Sequence, residues 1–346
     1  MSMTLDRWEP TRVLAKIVEH QRWDEAIACF EGAYPEAKND VRFSLLMSQA
    51  VVSYEISAFD DAIRYMNMAA ALQNDLSGDY RTPATTYSIA QALHVYGDSD
   101  SAQALIAAVA AEFCPPGYEI FRRRLARAVA IRRRVGGIRR PRHIVSLGQN
   151  CMVGNLSRRW GLGNLLEDGP FSAALTGGNG VSLALESDFV EFSAQASYRM
   201  VKTANGSGMP MIPKYVFAMN HELGGYWGDN GFRRLIDLYG ARVQTFRRQI
   251  EAPSLLICVR ENPIDGRRLQ EALAAHGDDY RLLIIDIMPQ GAPNISVFDD
   301  MKTRIVRLPV PVEGYTWYTD YDTGPGFVFE GHIAQIIADE VAWDHE

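Results

Sequence analysis

Hydrophobic positions change their rhythm along this chain, and the change separates two regions. Over roughly the first 135 residues they recur at helical spacing, and the pattern repeats itself. Trp23-Asp-Glu-Ala-Ile-Ala-Cys-Phe30 is echoed by Phe59-Asp-Asp-Ala-Ile-Arg-Tyr-Met66 and, more weakly, by Asp100-Ser-Ala-Gln-Ala-Leu105. From residue 143 onward, short and nearly unbroken apolar runs take over. Those at 143–147, 254–259, 281–285 and 303–308 predict strands, and their continuity implies burial on both faces. Stretches at 155–160, 232–249 and 266–276 lie between them and predict helices.

The first region resembles tetratricopeptide-like repeats. Its two stronger copies start 36 residues apart, near the roughly 34 of that helix-turn-helix unit. A small residue, Ala26 or Ala62, permits close approach of the paired helix, while Phe30 or Met66 fills the space one turn later. The expected architecture is therefore an all-α domain of tetratricopeptide-like helical repeats over 1–135 and a Gly/Arg/Pro linker over 136–142. An α/β domain with a mostly parallel sheet flanked by helices follows over 143–346. Stacked repeats present a surface for a protein or peptide partner, or else serve as a stabilising cap.

Composition adds limits. With 47% hydrophobic and 22% charged residues, the chain has enough apolar surface to fold without help. Its four cysteines are scattered and form no CxxC pair, which argues for free thiols in the cytoplasm over a disulfide framework or zinc ribbon. No run approaches the roughly 18 apolar residues of a membrane span. The net charge of −7 conceals an asymmetry, because no acid occurs between Glu119 and Glu167 while twelve arginines do. Within that stretch Phe121, Leu125, Ala128 and Val129 fall on one helical face, and Gly136, Gly137 and Pro141 end the helix. A solvated basic face is the ordinary meaning of such a run; an anionic ligand is the functional one. Nucleic acid is disfavoured, since no aromatic platform interleaves the arginines. Thr176-Gly-Gly-Asn-Gly180 lacks the lysine of a phosphate loop, and no cofactor is expected.

Parallel sheets set their sites at the carboxyl ends of the strands. That rule selects Gly148-Gln149-Asn150-Cys151, Arg260-Glu261-Asn262 and Asp286. Cys151 follows a glycine turn and precedes a helix, where backbone N–H groups favour a thiolate. It is the candidate nucleophile, although most free cysteines are simply small packed hydrophobes.

The run Ile144-Val-Ser-Leu-Gly-Gln-Asn-Cys-Met-Val-Gly-Asn-Leu-Ser-Arg-Arg-Trp-Gly-Leu162, followed by Gly169-Pro-Phe171, resembles the signature of a bacterial family of papain-like cysteine peptidases (SLG-x-NC, LRR-x-GL, PFDW). Tyr215-Val-Phe-Ala-Met-Asn-His221-Glu222 resembles that family's aromatic-to-His element, and Leu255-Leu-Ile-Cys-Val-Arg-Glu-Asn262 its later strand. The resemblance implies a thiol hydrolase or acyltransferase in which Cys151 attacks, His221 takes its proton, and Gln149 or Asn150 offers an amide N–H to the oxyanion. Ser172 and Ala173 stand where the family has Asp and Trp. The acid that would orient His221 is thus left open among Glu222, Asp229 and Asp286.

Other functions have weaker signals. Asp320 and Asp322 form the DxD pair that metal-dependent glycosyltransferases use. A helix beginning near His332 resembles the end of GDSL-type esterases, with that histidine as base. The non-enzymatic alternative is a repeat-bearing scaffold whose α/β part only binds.

Overall fold

A computed structural model describes residues 38–55, 59–77, 82–107, 109, 117–204, 206–261, 266–298 and 302–342. Contacts divide the chain into two compact units with the boundary at Pro115 and Pro116, Gly97–Asp100 belonging to the second.

The first unit is helical. It contains α1 (Lys38–Glu55), α2 (Phe59–Ala71) and α3 (Pro83–Tyr96), followed by α4 (Ser99–Ile106), which crosses from one unit to the other. Helix α2 packs against both α1 and α3. Ala62 and Met66 on it are fully buried, as close helix packing requires of a small residue and its space-filling neighbour. The copy at residues 23–30 lies outside the described residues, as do Cys29 and Cys114.

The arginine-rich segment forms α5 (Tyr118–Gly136) and belongs to the second unit, although the sequence pattern had grouped it with the repeats up to residue 135. Its apolar face, Phe121, Leu125, Ala128 and Val129, is buried as the spacing predicts. Many of its basic groups are engaged within the fold. Arg122 pairs with Glu119, Arg132 with Asp100 and Arg134 with Asp339, while Arg123 and Arg127 lie over the Phe327 ring. Arg124 is buried and donates to the Tyr321 carbonyl. The missing acids of this stretch are therefore supplied largely from elsewhere in the sequence.

After α5 the chain runs through β1 (His143–Ser146), α6 (Met152–Arg159), β2 (Leu175–Thr176), α7 (Gly180–Glu186), α8 (Val190–Ser193), β3 (Arg199–Lys202), β4 (Gly208–Ile212) and β5 (Phe217–Ala218). It continues through α9 (Asp229–Ile250), β6 (Ser254–Arg260), α10 (Gly266–Ala274), β7 (Tyr280–Met288), β8 (Ile295–Phe298), β9 (Thr303–Pro309) and α11 (Gly324–Ala342). The main sheet has the order β1-β6-β7-β9-β8. Its first three pairings are parallel, and β8 closes the edge antiparallel to β9. All four runs anticipated as strands lie in this sheet.

Every residue of β6 is buried, and the alternation of side chains along a strand sends them to two separate cores. Leu255, Ile257 and Val259 join Leu283 and Ile285 against residues of α5, α6 and α11. Leu256 and Cys258 join Leu282 and Ile284 against α9, α10 and an aromatic cluster around Phe171, Phe189, Phe217 and Phe246. On that second side a small antiparallel sheet, β2-β5-β4-β3, completes the domain. Nothing in the hydrophobic pattern announces it, because β2 and β5 have two residues each and β4 carries Gly208 and Pro210. Buried ion pairs tie the outer helices down: Arg159 and Trp160 both donate to Glu330 on α11, and Arg281 pairs with Glu340.

Candidate thiol–imidazole site

The loop after β1 is held at several points. Leu147 donates its N–H to Ile257 O (2.7 Å) and Gln149 to Val259 O (3.3 Å), so the parallel ladder extends beyond the strand. Thr176 reaches across from the small sheet, with its N–H on Gln149 O (2.9 Å) and its hydroxyl on Gly148 O (3.1 Å). A Cβ at Gly148 would sit 2.8 Å from Asn150 O, too close for any other residue without moving the loop. Asn150 then caps α6: its Oδ1 accepts the Met152 N–H (2.9 Å), while its Nδ2 donates to Glu261 Oε1 (3.0 Å). Cys151 occupies the N-cap position of α6, and Asn155 one turn later donates to its carbonyl (3.1 Å).

His221 arrives from the other sheet. It sits in a turn just after β5 in which Met219 N–H bonds Pro210 O (2.9 Å) and Glu222 N–H bonds Met219 O (3.3 Å). Glu222 is buried beneath this turn and accepts from Arg242 on α9 (3.2 Å) and the Tyr239 hydroxyl (3.5 Å). The result is a direct contact, His221 Nε2 to Cys151 Sγ, 3.4 Å. At that distance an imidazole nitrogen can take a proton from the thiol.

Cys151 is 8% exposed. Burial pushes its thiol above the ordinary range, against the smaller pull of its own backbone N–H, Arg159, Arg158 and Asn155. Burial thus disfavours the thiolate, and an approaching electrophile is helped by a base beside the sulfur.

The remaining residues singled out by sequence have other partners. Asp286 accepts from Arg260 (2.6 Å) and lies 3.6 Å from Arg307. Glu222 is committed to Arg242, and Asp229 opens α9. The N–H of Gln149 and the side-chain amide of Asn150 are both engaged within the fold, on Val259 O and Glu261. Ser172, in place of the family's Asp, accepts the Gly169 N–H (3.0 Å) and shapes the turn before the Phe171 core. Asp320 accepts the Thr316 N–H (2.8 Å), and His332 is exposed in the middle of α11, which begins well before it. Among the described residues no group of three or more His, Cys, Asp and Glu is placed to hold a metal ion, and no helix is long and apolar enough to cross a membrane.

At the same carboxyl edge opens a cavity of about 440 Å³, lined by Met152, the residue after Cys151, but not by the thiol itself. Met152, next to the nucleophile candidate, and Glu261, on the Asn150 amide, form one wall; Tyr315, Trp317, Tyr318 and Phe329 supply aromatic rings. Glu261 was singled out from sequence as part of the polar triplet at the end of β6; Thr176 and Asn155 carried no such signal.

Fold and site together define a class: a three-layer α/β domain with a mostly parallel sheet and a cysteine–histidine contact at its carboxyl edge. Comparison of the chain with protein-family models, with curated proteins and with solved structures finds no match.

Proposed function

We propose that the second unit is a thiol-dependent hydrolase or acyltransferase in which Cys151 is the nucleophile and His221 the base. The observation that carries this reading is the 3.4 Å contact between Sγ and Nε2, made by residues 70 positions apart on loops that follow strands of two different sheets. As the carbonyl carbon of an ester, thioester or amide approaches, His221 Nε2 takes the thiol proton and the S–C bond forms. Collapse of the tetrahedral adduct breaks the bond to the leaving group, which receives the proton from the imidazolium. Water or an acceptor amine or alcohol, deprotonated by the same imidazole, then releases the acyl group and restores the thiol. The resemblance of the loop motif to papain-like cysteine peptidases supports the same assignment; the strand that precedes Cys151 favours an α/β-type acyl-transfer site over a papain fold.

A binding-only domain is the second reading, favoured by the burial of the sulfur and its raised protonation range. On either reading the helices of the first unit, as tetratricopeptide-like repeats, would recruit a protein or peptide. Iodoacetamide footprinting of the intact folded chain separates the two. The catalytic reading expects Cys151 to be alkylated ahead of Cys29, Cys114 and Cys258 and to lose that lead in His221→Ala. Equal labelling of all four, or a lead indifferent to His221, sinks it.

A further inference from the structure

The cavity at the carboxyl edge, which reaches the Cys151 loop through Met152 and through Glu261 on the Asn150 amide, has a composition that selects a charge. Among the described residues, Glu261 is the one charged side chain in its wall, and four of the other wall residues, Tyr315, Trp317, Tyr318 and Phe329, are aromatic. Aromatic faces attract cations through their negative π-quadrupole, and a carboxylate does so through its charge. Both features repel an anion. The volume suits a side-chain-sized or slightly larger group.

The loop that carries the rings is braced for the purpose. Asp320 and Thr316 exchange hydrogen bonds, Asp320 N–H to Thr316 O and Thr316 N–H to Asp320 Oδ2, each 2.8 Å, and Tyr315 stacks edge-on against Phe329 on α11 at 5.2 Å. Asp320, the first of the acidic pair noted in the sequence, thus braces the aromatic loop. Glu261 is fixed from the other side by the Asn150 amide, whose second arm caps the helix that begins beside Cys151.

From this arrangement we infer that the cavity is a subsite for a cationic group, an ammonium or guanidinium, held between Glu261 and the aromatic rings. Resting on the thiol assignment, this makes the substrate a carbonyl compound bearing a basic group, such as a basic peptide or an amine-bearing ester.

The test uses three ligands of one size and different charge, benzylammonium, benzyl alcohol and benzoate, titrated against the intact Cys151→Ala chain by ligand-observed NMR. Benzylammonium should bind roughly tenfold more tightly than the alcohol, with benzoate weakest. Glu261→Gln keeps an acceptor for the Asn150 amide while removing the charge, and should erase most of that order; Trp317→Ala should weaken the cation. Equal binding of all three, or an order that survives in Glu261→Gln, overturns the inference. A second arm compares alkylation of Cys151 by 2-bromoethylammonium and by iodoacetamide. The cationic reagent should gain relative to iodoacetamide in the native chain and lose that gain in Glu261→Gln. Failure of iodoacetamide to single out Cys151 counts against the thiol assignment alone, since the NMR order still decides the cavity.

Discussion

Two cysteines, one inside a strand of the main sheet and one just past the end of the neighbouring strand, have opposite fates. Cys258 lies inside β6, fully buried, and burial pushes its thiol up to about 12. Cys151 lies just past the end of β1, at an N-cap, with an imidazole nitrogen at 3.4 Å. Both are buried by accessible area, so burial alone does not distinguish them. What differs is what surrounds the sulfur: Cys258 packs among Leu, Ile and Val with its backbone in the ladder, while Cys151 sits where the ladder has run out and loops from both sheets converge. The difference in surroundings follows from chain position relative to the sheet more than from residue type.

The sharpest way to break the contrast is to remove the imidazole. His221→Ala should slow alkylation of Cys151 at pH 7 by roughly two to four orders of magnitude, the range of a positioned general base, and leave Cys258 as unreactive as before. Rate constants from timed quenching and peptide mass spectrometry give both numbers. The pH profile sharpens the same point. Because burial raises the Cys151 thiol, its native alkylation rate should keep climbing above pH 9; a plateau below pH 7 would mean a resting thiolate–imidazolium pair and refute the neutral-thiol assignment.

The main sheet is legible in the sequence. The four main strands announce themselves as unbroken apolar runs, since a strand buried on both faces has no polar alternation to confuse it. Gly148 and Cys151 follow from the rule about carboxyl ends. His221 was reached only through a resemblance, because its supporting strands are too short and too rich in Gly, Pro and Met to carry a period-two signal. The aromatic wall was equally opaque: the sequence displays Asp320 and Asp322, and only the fold reveals that Asp320 braces a turn. Likewise the acid-free arginine stretch does not disclose that Asp100 and Asp339 come back to pair with Arg132 and Arg134.

The supports of the two sulfurs can be tested as well. Arg242 and Glu222 form a buried pair under the His221 turn, and removing one partner strands a charge. Arg242→Ala should cost about 3–5 kcal/mol in urea unfolding and loosen the His221 contact, seen as slower Cys151 alkylation. Adding Glu222→Gln to Arg242→Ala should recover part of the stability; a double variant as unstable as the single one would locate the cost in lost packing.

Cys258 predicts a signature in alkaline stability. Its folded thiol is raised from an ordinary 9.0 to about 12, so below pH 9 the group is neutral in both states and its contribution is fully present. Between the two values the unfolded chain loses a proton that the folded one keeps, and stability falls by up to about 1.4 kcal/mol per pH unit from this group. In Cys258→Ala the stability difference from the native chain should therefore shrink as pH rises from 9, the two unfolding curves converging. A difference independent of pH would place the buried thiol in water.

The smallest effect belongs to the loop that presents Cys151. Thr176 is the point where the small sheet grips this loop, and its hydroxyl donates to Gly148 O at 3.1 Å in a buried setting. Thr176→Val keeps the shape and the backbone bond from Thr176 N–H to Gly148's neighbour Gln149 while removing that one donor. The cost should be about 1 kcal/mol, since a buried carbonyl loses its partner, with Cys151 alkylation slowed only a few-fold because the Asn150 cap and the Leu147 and Gln149 ladder bonds still fix the sulfur. A collapse of alkylation with stability intact would mean that the threonine hydroxyl, more than the backbone frame, holds the thiol against its base.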